Sequence, residues 1–347
     1  MRTSYYLVYM DMRCINLKRT KVILWFAKAI VAFIIAFIAV NGICFIYYNI
    51  PAHYDNLTNA TDYKFETSKF YSKWTPEGLA HGRTNNDGYL NKLDLGEKEI
   101  NILFMGSSHG EGYNVNLDEN IVSVLNNCLN GKMYAYSIAT SSHSLLTNLK
   151  NLDAALQEYK PTDYVVIEFP TINIELSKIQ ELLQGDVQRR PSQNSGIIAF
   201  LQKIPYLRLL YNQLATAQAT ETSGTKHETT SKEYYAALDE MLKSASEVCE
   251  KYNVKLILLH HSHLALNADG SVHSTDDADY VTAMETTCAN HKITFINMSD
   301  TFIQYYNDTH ILPYGFINTA VGVGHLNKYG HKLIGQKIYE TVMEASQ

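Results

Sequence analysis

No Cys-x-x-Cys pair occurs in the 347 residues, which removes the usual zinc and redox motifs. Five cysteines are present: Cys14 in the N-terminal tail, Cys44 in an apolar run, and Cys128, Cys249 and Cys288 beyond it. One disulfide among the last three is allowed but a disulfide framework is not, and buried free thiols fit better. Positive charge is also short. Twenty-nine Lys and Arg against 35 Asp and Glu leave a net charge of −6, so no nucleic-acid partner is expected. No internal repeat is visible. Missing too is a small-residue cleavage site after the first apolar run, where FIYYNIPAH follows. Ile43 stands before Cys44 where lipidation would need a small residue. These last two absences favour an uncleaved anchor.

What is present suffices for one globular domain with a sizeable core plus appendages, since 46% of residues are hydrophobic. Residues 1–21 carry Arg2, Arg13, Lys18, Arg19 and Lys21 against the single acid Asp11 and read as a cytoplasmic tail. Residues 22–48 read as a single transmembrane helix. Nothing is charged from Ala29 to Tyr48, and roughly 20 apolar residues cross a bilayer. Lys28 can snorkel, while Trp25 and the pair Tyr47, Tyr48 suit the two interfaces. The basic excess before the span places the N-terminus in the cytoplasm and the main domain outside the cell membrane. Residues 49–98 are polar and Tyr-rich, and read as a stalk and extension lying on the main domain. The sequons at Asn56 and Asn59 arise easily by chance.

From Ile100 the pattern alternates. Strands are expected at Ile100–Met105, Met133–Ile138, Tyr164–Phe169, Val254–Leu259 and Ile293–Ile296. Helices are expected at Ile121–Leu129, Leu145–Tyr159, Glu233–Tyr252, about Asp276–Asn290 and within His325–Glu344. Alternation of this kind implies an α/β domain over 99–347: a doubly wound, flavodoxin-like parallel sheet of five strands in three layers. An insertion of about 171–232 interrupts it. That insertion holds a helical piece, Ile197–Ala217, and a Ser/Thr-rich run.

Two stretches carry chemistry. In EINILFMGSSHGEGYN, Glu99–Asn114, an apolar strand stops at Gly106 and breaks into Ser107, Ser108 and His109. Such a turn can present a nucleophile at a sheet edge, with backbone amides facing developing negative charge. The bland alternative is a tight strand-to-helix connection. In GVGHLNKYGHKLIG, Gly322–Gly335, His325 precedes the last helix and Asn327 reads as its N-cap. Loops after the strand C-termini share one rim, so His325 can reach Ser108 and act as its base. His260, His261 and His263 end the fourth strand on that rim. They lack a fourth ligand at suitable spacing, so polar rim residues are expected there and no metal or cofactor.

At these residues the chain resembles the SGNH/GDSL hydrolase superfamily, from about Glu99 to the C-terminus with the insertion unmatched. The family's Gly-Asp-Ser block is similar to Gly106-Ser107-Ser108 and its Asp-x-x-His block to Gly322-Val323-Gly324-His325. The resemblance implies Ser108 as nucleophile and His325 as base. The Gly-Ser-Ser form and single span also resemble membrane-anchored cell-envelope acyltransferases of the kind that transfer D-alanyl groups in teichoic-acid modification. The Asn-x-x-x-x-Gly block is similar to Ser137–Ser142, implying an oxyanion amide at Ser142. The Gly-x-Asn-Asp block is similar to Pro170–Asn173, which puts Ile172 at the oxyanion asparagine, with Asn173 as a substitute. Ser108, Ser142 and Asn173 are thus the expected oxyanion donors. His109 and His143, each following a candidate donor, are assigned to the substrate pocket, with turn capping as the alternative.

Gly322 stands where the family has the aspartate behind the histidine. A Ser-His dyad is therefore expected, with a backbone carbonyl or water on the distal nitrogen of His325. Asp300, Asp308 and Glu168 are the unranked acids that would contradict it. The expected function is a serine esterase or O-acyltransferase acting on acyl, best acetyl, esters of a cell-envelope polysaccharide. The alternative is a catalytically degenerate domain of the same fold that binds glycan or acts as a scaffold.

Overall fold

The apolar run near the N-terminus has nothing to interrupt a helix, and it forms one: α1 (Arg2–Tyr47). Its stretch Lys21–Tyr47 holds an 18-residue window with a mean hydropathy of 2.8 and is long and apolar enough to cross a membrane. The computed structural model describes residues 2–49, 53–55, 63–75, 77–112, 114–141, 143–185, 204, 206–207, 231–317 and 319–345. The helical piece anticipated at Ile197–Ala217 lies almost wholly outside these, as do Asn56 and Asn59. Helix α1 continues without a break into β1 (Tyr48–Asn49). Then follow β2 (His53–Asp55), β3 (Tyr63–Phe65), β4 (Phe70–Thr75) and β5 (Gly78–Arg83). β1, β4 and β5 make an antiparallel sheet, and β2 pairs with β3. The extension is thus built of strands, and it lies on the α/β domain. Asn85 donates to the Tyr136 hydroxyl at 2.7 Å, and the Tyr159 hydroxyl donates to Asp87 at 2.8 Å.

Beyond it the chain runs β6 (Ile102–Met105), α2 (Ser108–Glu111), α3 (Ile121–Leu129), β7 (Ala135–Ser137), α4 (Leu145–Tyr159) and β8 (Tyr164–Phe169). It continues with α5 (Leu176–Leu183), α6 (Lys232–Lys251), β9 (Lys255–His260), β10 (Leu264–Leu266), β11 (Val272–Ser274) and α7 (Ala278–Asn290). β12 (Thr294–Asn297), α8 (Ser299–Thr309) and α9 (Lys328–Glu344) complete it. The five-stranded sheet is parallel throughout, in the order β12-β9-β8-β6-β7.

The strands read as nearly continuous apolar runs because helices cover both faces. Alternate residues serve opposite cores. Leu103, Met105, Val165, Ile167, Leu256 and Leu258 pack under α4, α6 and α7. Ile102, Phe104, Val166, Ile257 and Leu259 pack under α3, α8 and α9. This is the expected three-layer doubly wound architecture. The C-terminal ends of β6, β8 and β9 are neighbours, with Met105 paired to Ile167 and Phe169 to His260, and the chain leaves each of them toward one rim. Cys249 and Cys288 are buried free thiols and Cys128 is half-buried and free.

Candidate active site

The rim is built around the turn after β6. Ser107 caps α2, its Oγ accepting from the His109 N–H at 3.1 Å, and it is buried; Ser108 is half-exposed. Beneath the turn lies the Glu168 carboxylate, carried to the rim as the penultimate residue of the central strand β8 and fully buried. It accepts from the Ser107 N–H at 2.7 Å, the Gly110 N–H at 3.0 Å and the Ser107 hydroxyl at 3.0 Å. Gly106 and Gly110 are glycine because a Cβ at either would stand 2.5 or 2.6 Å from that carboxylate. The amides of Ser107, His109 and Gly110 are therefore all engaged. The Ser108 N–H is the amide of the turn left without an acceptor among the described residues. A free amide on the nucleophile itself is what an oxyanion needs.

His325 enters on the loop before α9, whose N-cap Asn327 accepts from the Tyr329 and Gly330 amides, as anticipated. Its Nε2 lies 3.0 Å from Ser108 Oγ. Its Nδ1 faces both oxygens of Glu77, at 2.8 and 2.9 Å, and the His325 backbone N–H donates to Glu77 at 2.9 Å. A carboxylate only accepts, so the proton sits on Nδ1 and Nε2 is free to take the Ser108 proton.

The expectation of a dyad with a carbonyl or water on the distal nitrogen is therefore corrected. Glu77, in the β4–β5 turn, occupies that place, and Ser108, His325 and Glu77 form a triad-like relay. The acids weighed from sequence are elsewhere. Asp300 and Asp308 are exposed on α8, and Glu168 holds the nucleophile turn. Burial pushes the Glu77 carboxyl up, but the His325 hydrogen bonds and charge and the nearby Lys73 outweigh it, so the group stays below its ordinary range. Desolvation in turn lowers Lys73 against the pull of Glu77 and Glu111.

Around the relay, polar groups are buried and neutral-leaning. Burial drives His261 well down, which leaves it uncharged between Glu168, 2.6 Å from Nε2, and the Tyr314 hydroxyl, 2.7 Å from Nδ1. Glu111 is driven up to about 7 by burial, against hydrogen bonds from Ser141 and the charges of Lys73 and His325. His109, assigned from sequence to the substrate pocket, is instead buried under the His325 imidazole, with ring centroids 4.8 Å apart. Its Nδ1 accepts from the Leu326 N–H at 3.2 Å, so it braces the His325 loop. His143 is half-buried with Nδ1 3.3 Å from Asn148 Oδ1 of α4. Ile172 is in the core; Asn173 beside it is half-buried, its Oδ1 without a hydrogen-bond partner among the described residues. Ser142 lies outside the described residues. His260 bonds Asp276 at 2.7 Å, a structural tie behind the rim.

Glu77 is the member of this cluster that sequence reasoning missed. The local signal was a Thr75-Pro76-Glu77-Gly78 turn between two six-residue runs, which is hairpin chemistry. Nothing in it points to a histidine 248 positions away.

No protein-family profile and no curated protein matches the sequence. Among solved structures the chain is similar to GDSL esterases and acylhydrolases. The psychrotrophic esterase EstA from Pseudoalteromonas sp. shares 15% identity over 70% of this chain and 96% of that one, with a TM-score of 0.37. The acetyl xylan esterase AlAXEase shares 13% over 70% and 98%, with a TM-score of 0.38. A member of the lipolytic G-D-S-L family from Veillonella parvula shares 12% over 70% and 97%, with a TM-score of 0.36. The residue roles above rest on the geometry of this site.

Proposed function

We propose that the chain is a membrane-anchored, extracytoplasmic serine esterase or O-acyltransferase of SGNH/GDSL type. Its substrate is an acyl ester, acetyl foremost, of a cell-envelope polysaccharide. The observation that carries the chemistry is the 3.0 Å contact between Ser108 Oγ and His325 Nε2, with Glu77 behind the ring. The same contact weighs against a degenerate glycan-binding domain, for which a separated serine and histidine would be the mark. The basic tail ahead of α1 and the length of its apolar stretch support an anchor with the domain outside. Tethering there, together with the motif resemblance, supports the envelope substrate.

Ser108 attacks the ester carbonyl as His325 Nε2 takes its proton. The Ser108 amide holds the resulting oxyanion, with the Ser142 amide and the Asn173 side chain as further proposed donors. Collapse of the tetrahedral intermediate breaks the bond to the alcohol, which leaves with the proton from His325, and an acyl-Ser108 remains. Water or a sugar hydroxyl then attacks it, giving hydrolysis or transfer, and His325 again moves the proton. Glu77 holds the ring in its Nδ1–H tautomer and stabilises the imidazolium.

Treating the full chain with a serine-directed phosphonate tests this. Labelling at Ser108, lost in Ser108→Ala and slowed in His325→Ala, is expected. Labelling at another serine, or none, overturns the reading.

A further inference from the structure

The β4–β5 hairpin has two faces, and the catalytic one accounts for only half of it. Residues alternate across a strand. Tyr71 and Lys73 turn inward with Ala80, toward Glu77, Glu111 and Asn114. Phe70 and Trp74 turn outward and are 73% and 59% exposed, and Leu79, opposite Trp74, is exposed as well. Their neighbours on that face are Arg83, paired with Phe70, and His81. A second apolar group flanks the hairpin turn. The loop before His325 exposes Ile317, at 97%, with Val321 and Val323, and it touches the turn where Phe316 meets Gly78 and Gly324 meets Glu77. Exposed bulky residues clustered on both sides of one turn call for a covering surface.

The chain itself indicates which surface. α1 ends at Tyr47 and β1 begins at Tyr48, paired with Lys73, so no linker separates the apolar helix from the hairpin. The Tyr47 ring lies 5.4 Å from that of Trp74, so the outward face is the one on which the end of the helix leans. Asn49 ties down further by donating to the Phe70 carbonyl at 2.8 Å. Tyr and Trp at the end of a span, here with Arg83 on the same face, are residues that settle at the headgroup level of a bilayer.

We infer that the outward face of the β4–β5 hairpin, with Ile317, Val321 and Val323 beside its turn, rests on the lipid bilayer surface. The Ser108 site then opens beside the membrane and takes acyl esters presented at that surface rather than free in solution. The inference rests on the anchor and esterase readings above. Glu77 stands in the turn of that hairpin, so the relay is carried by the same element that meets the lipid.

The two tryptophans of the chain, Trp25 and Trp74, make the test direct. Full-length Trp25→Phe, reconstituted in phosphatidylcholine–phosphatidylglycerol vesicles brominated near the headgroup end of the acyl chain, reports on Trp74 alone. Its emission is expected to lose about half its intensity against unbrominated vesicles, as befits a ring at the interface. Unchanged emission with free access to iodide means the face lies in water and overturns the inference. Unchanged emission with shielding from iodide means that protein, such as a second copy, covers the face, and overturns it too. Full-length Trp74→Phe reports on Trp25. If that residue also escapes quenching, the anchor reading falls and takes this one with it. Hydrolysis of a short soluble ester is read in parallel, because its absence sinks the esterase reading without touching the quenching result. The double variant Trp74→Ser, Leu79→Ser is expected to lose about tenfold in turnover of a lipid-linked acyl ester displayed on vesicles, with soluble-ester turnover retained. Equal loss on both esters overturns the claim that substrate is presented from the membrane.

Discussion

At the scale of single residues, Glu77→Gln removes the charge behind His325 while nearly keeping the side chain's shape. The imidazolium that forms during attack then loses its carboxylate, and the Gln amide can hold the ring in the wrong tautomer. Turnover of a short soluble ester is expected to fall by about 10²–10⁴, with KM changing far less. A fall below about threefold would mean that Glu77 is a bystander and that the dyad read from Gly322 was right. Glu111 offers a prediction with a sign. Its carboxyl stands at about 7 in the fold against an ordinary 4.5, so the folded state holds a proton that the unfolded chain has released in between. The stability it contributes is complete below 4.5 and is lost as the pH rises toward 7, by about 3 kcal/mol, levelling off above. Glu111→Gln keeps acceptors for the Ser141 amide and cannot ionise. The variant should gain in denaturant midpoint over the parent at about pH 8 and show no such gain at about pH 4. An equal difference at both pH values would contradict the assignment. Ser108 and His325 were legible because each sits in a short block with its glycines. Glu77 was not, because a lone acid in a polar segment carries no mark of the partner it meets across 248 residues.

At the scale of elements, the strand-to-helix turn at Ser107–Gly110 depends on what lies under it. Glu168 takes hydrogen bonds from two backbone amides, a hydroxyl and the His261 ring, all out of solvent. Glu168→Ala leaves those donors without an acceptor. A loss of about 3 kcal/mol or more is expected in the unfolding free energy, with slower phosphonate labelling of Ser108. Wild-type stability in that variant would show that the carboxylate does not hold the turn. The elements legible in the sequence were those whose patterns were set by burial. β8 and β9 are apolar on both faces, and α4 repeats at helical spacing between its Ser144 cap and its left-handed Lys160 C-cap. The β10–β11 hairpin and β4–β5 were missed for a common reason. Each is short, has at least one exposed face, and takes its stability from what it packs against rather than from its own pattern. The outward Phe70 and Trp74 made the second one harder still, since they blur the alternation that marks a half-buried strand.

At the scale of the molecule, the part of the extension from Tyr63 on packs into the α/β domain. The parallel sheet ends at β7, a three-residue edge whose outward backbone groups would be open to another chain. Two asparagines close it. Asn126 of α3 accepts from the Ala135 N–H and donates to the Ala135 carbonyl, both at 2.8 Å. Asn91 of the extension does the same for Ser137, at 2.8 and 2.9 Å. Tyr89 adds its ring to the core face beneath α4, and Glu77 completes the relay. A chain begun at Glu99, where the alternating pattern starts, keeps all five strands and both motif blocks but loses Asn91, Tyr89 and Glu77 together. One begun at Tyr63 drops the apolar helix and keeps all three. On a short soluble ester, the chain from Tyr63 should retain turnover within about threefold of the full chain, while the chain from Glu99 should lose at least the 10²–10⁴ expected of Glu77→Gln, about the span of a lost triad acid. It should also unfold at lower temperature and self-associate through the bared edge of β7. Adding Asn91→Ala to the chain from Tyr63 separates the effects, since it opens the edge and leaves Glu77 in place. Self-association without loss of turnover is the expected result. If the chain from Glu99 proves as active and as monomeric as the longer one, the extension is a stalk after all, and the carboxylate behind His325 is dispensable.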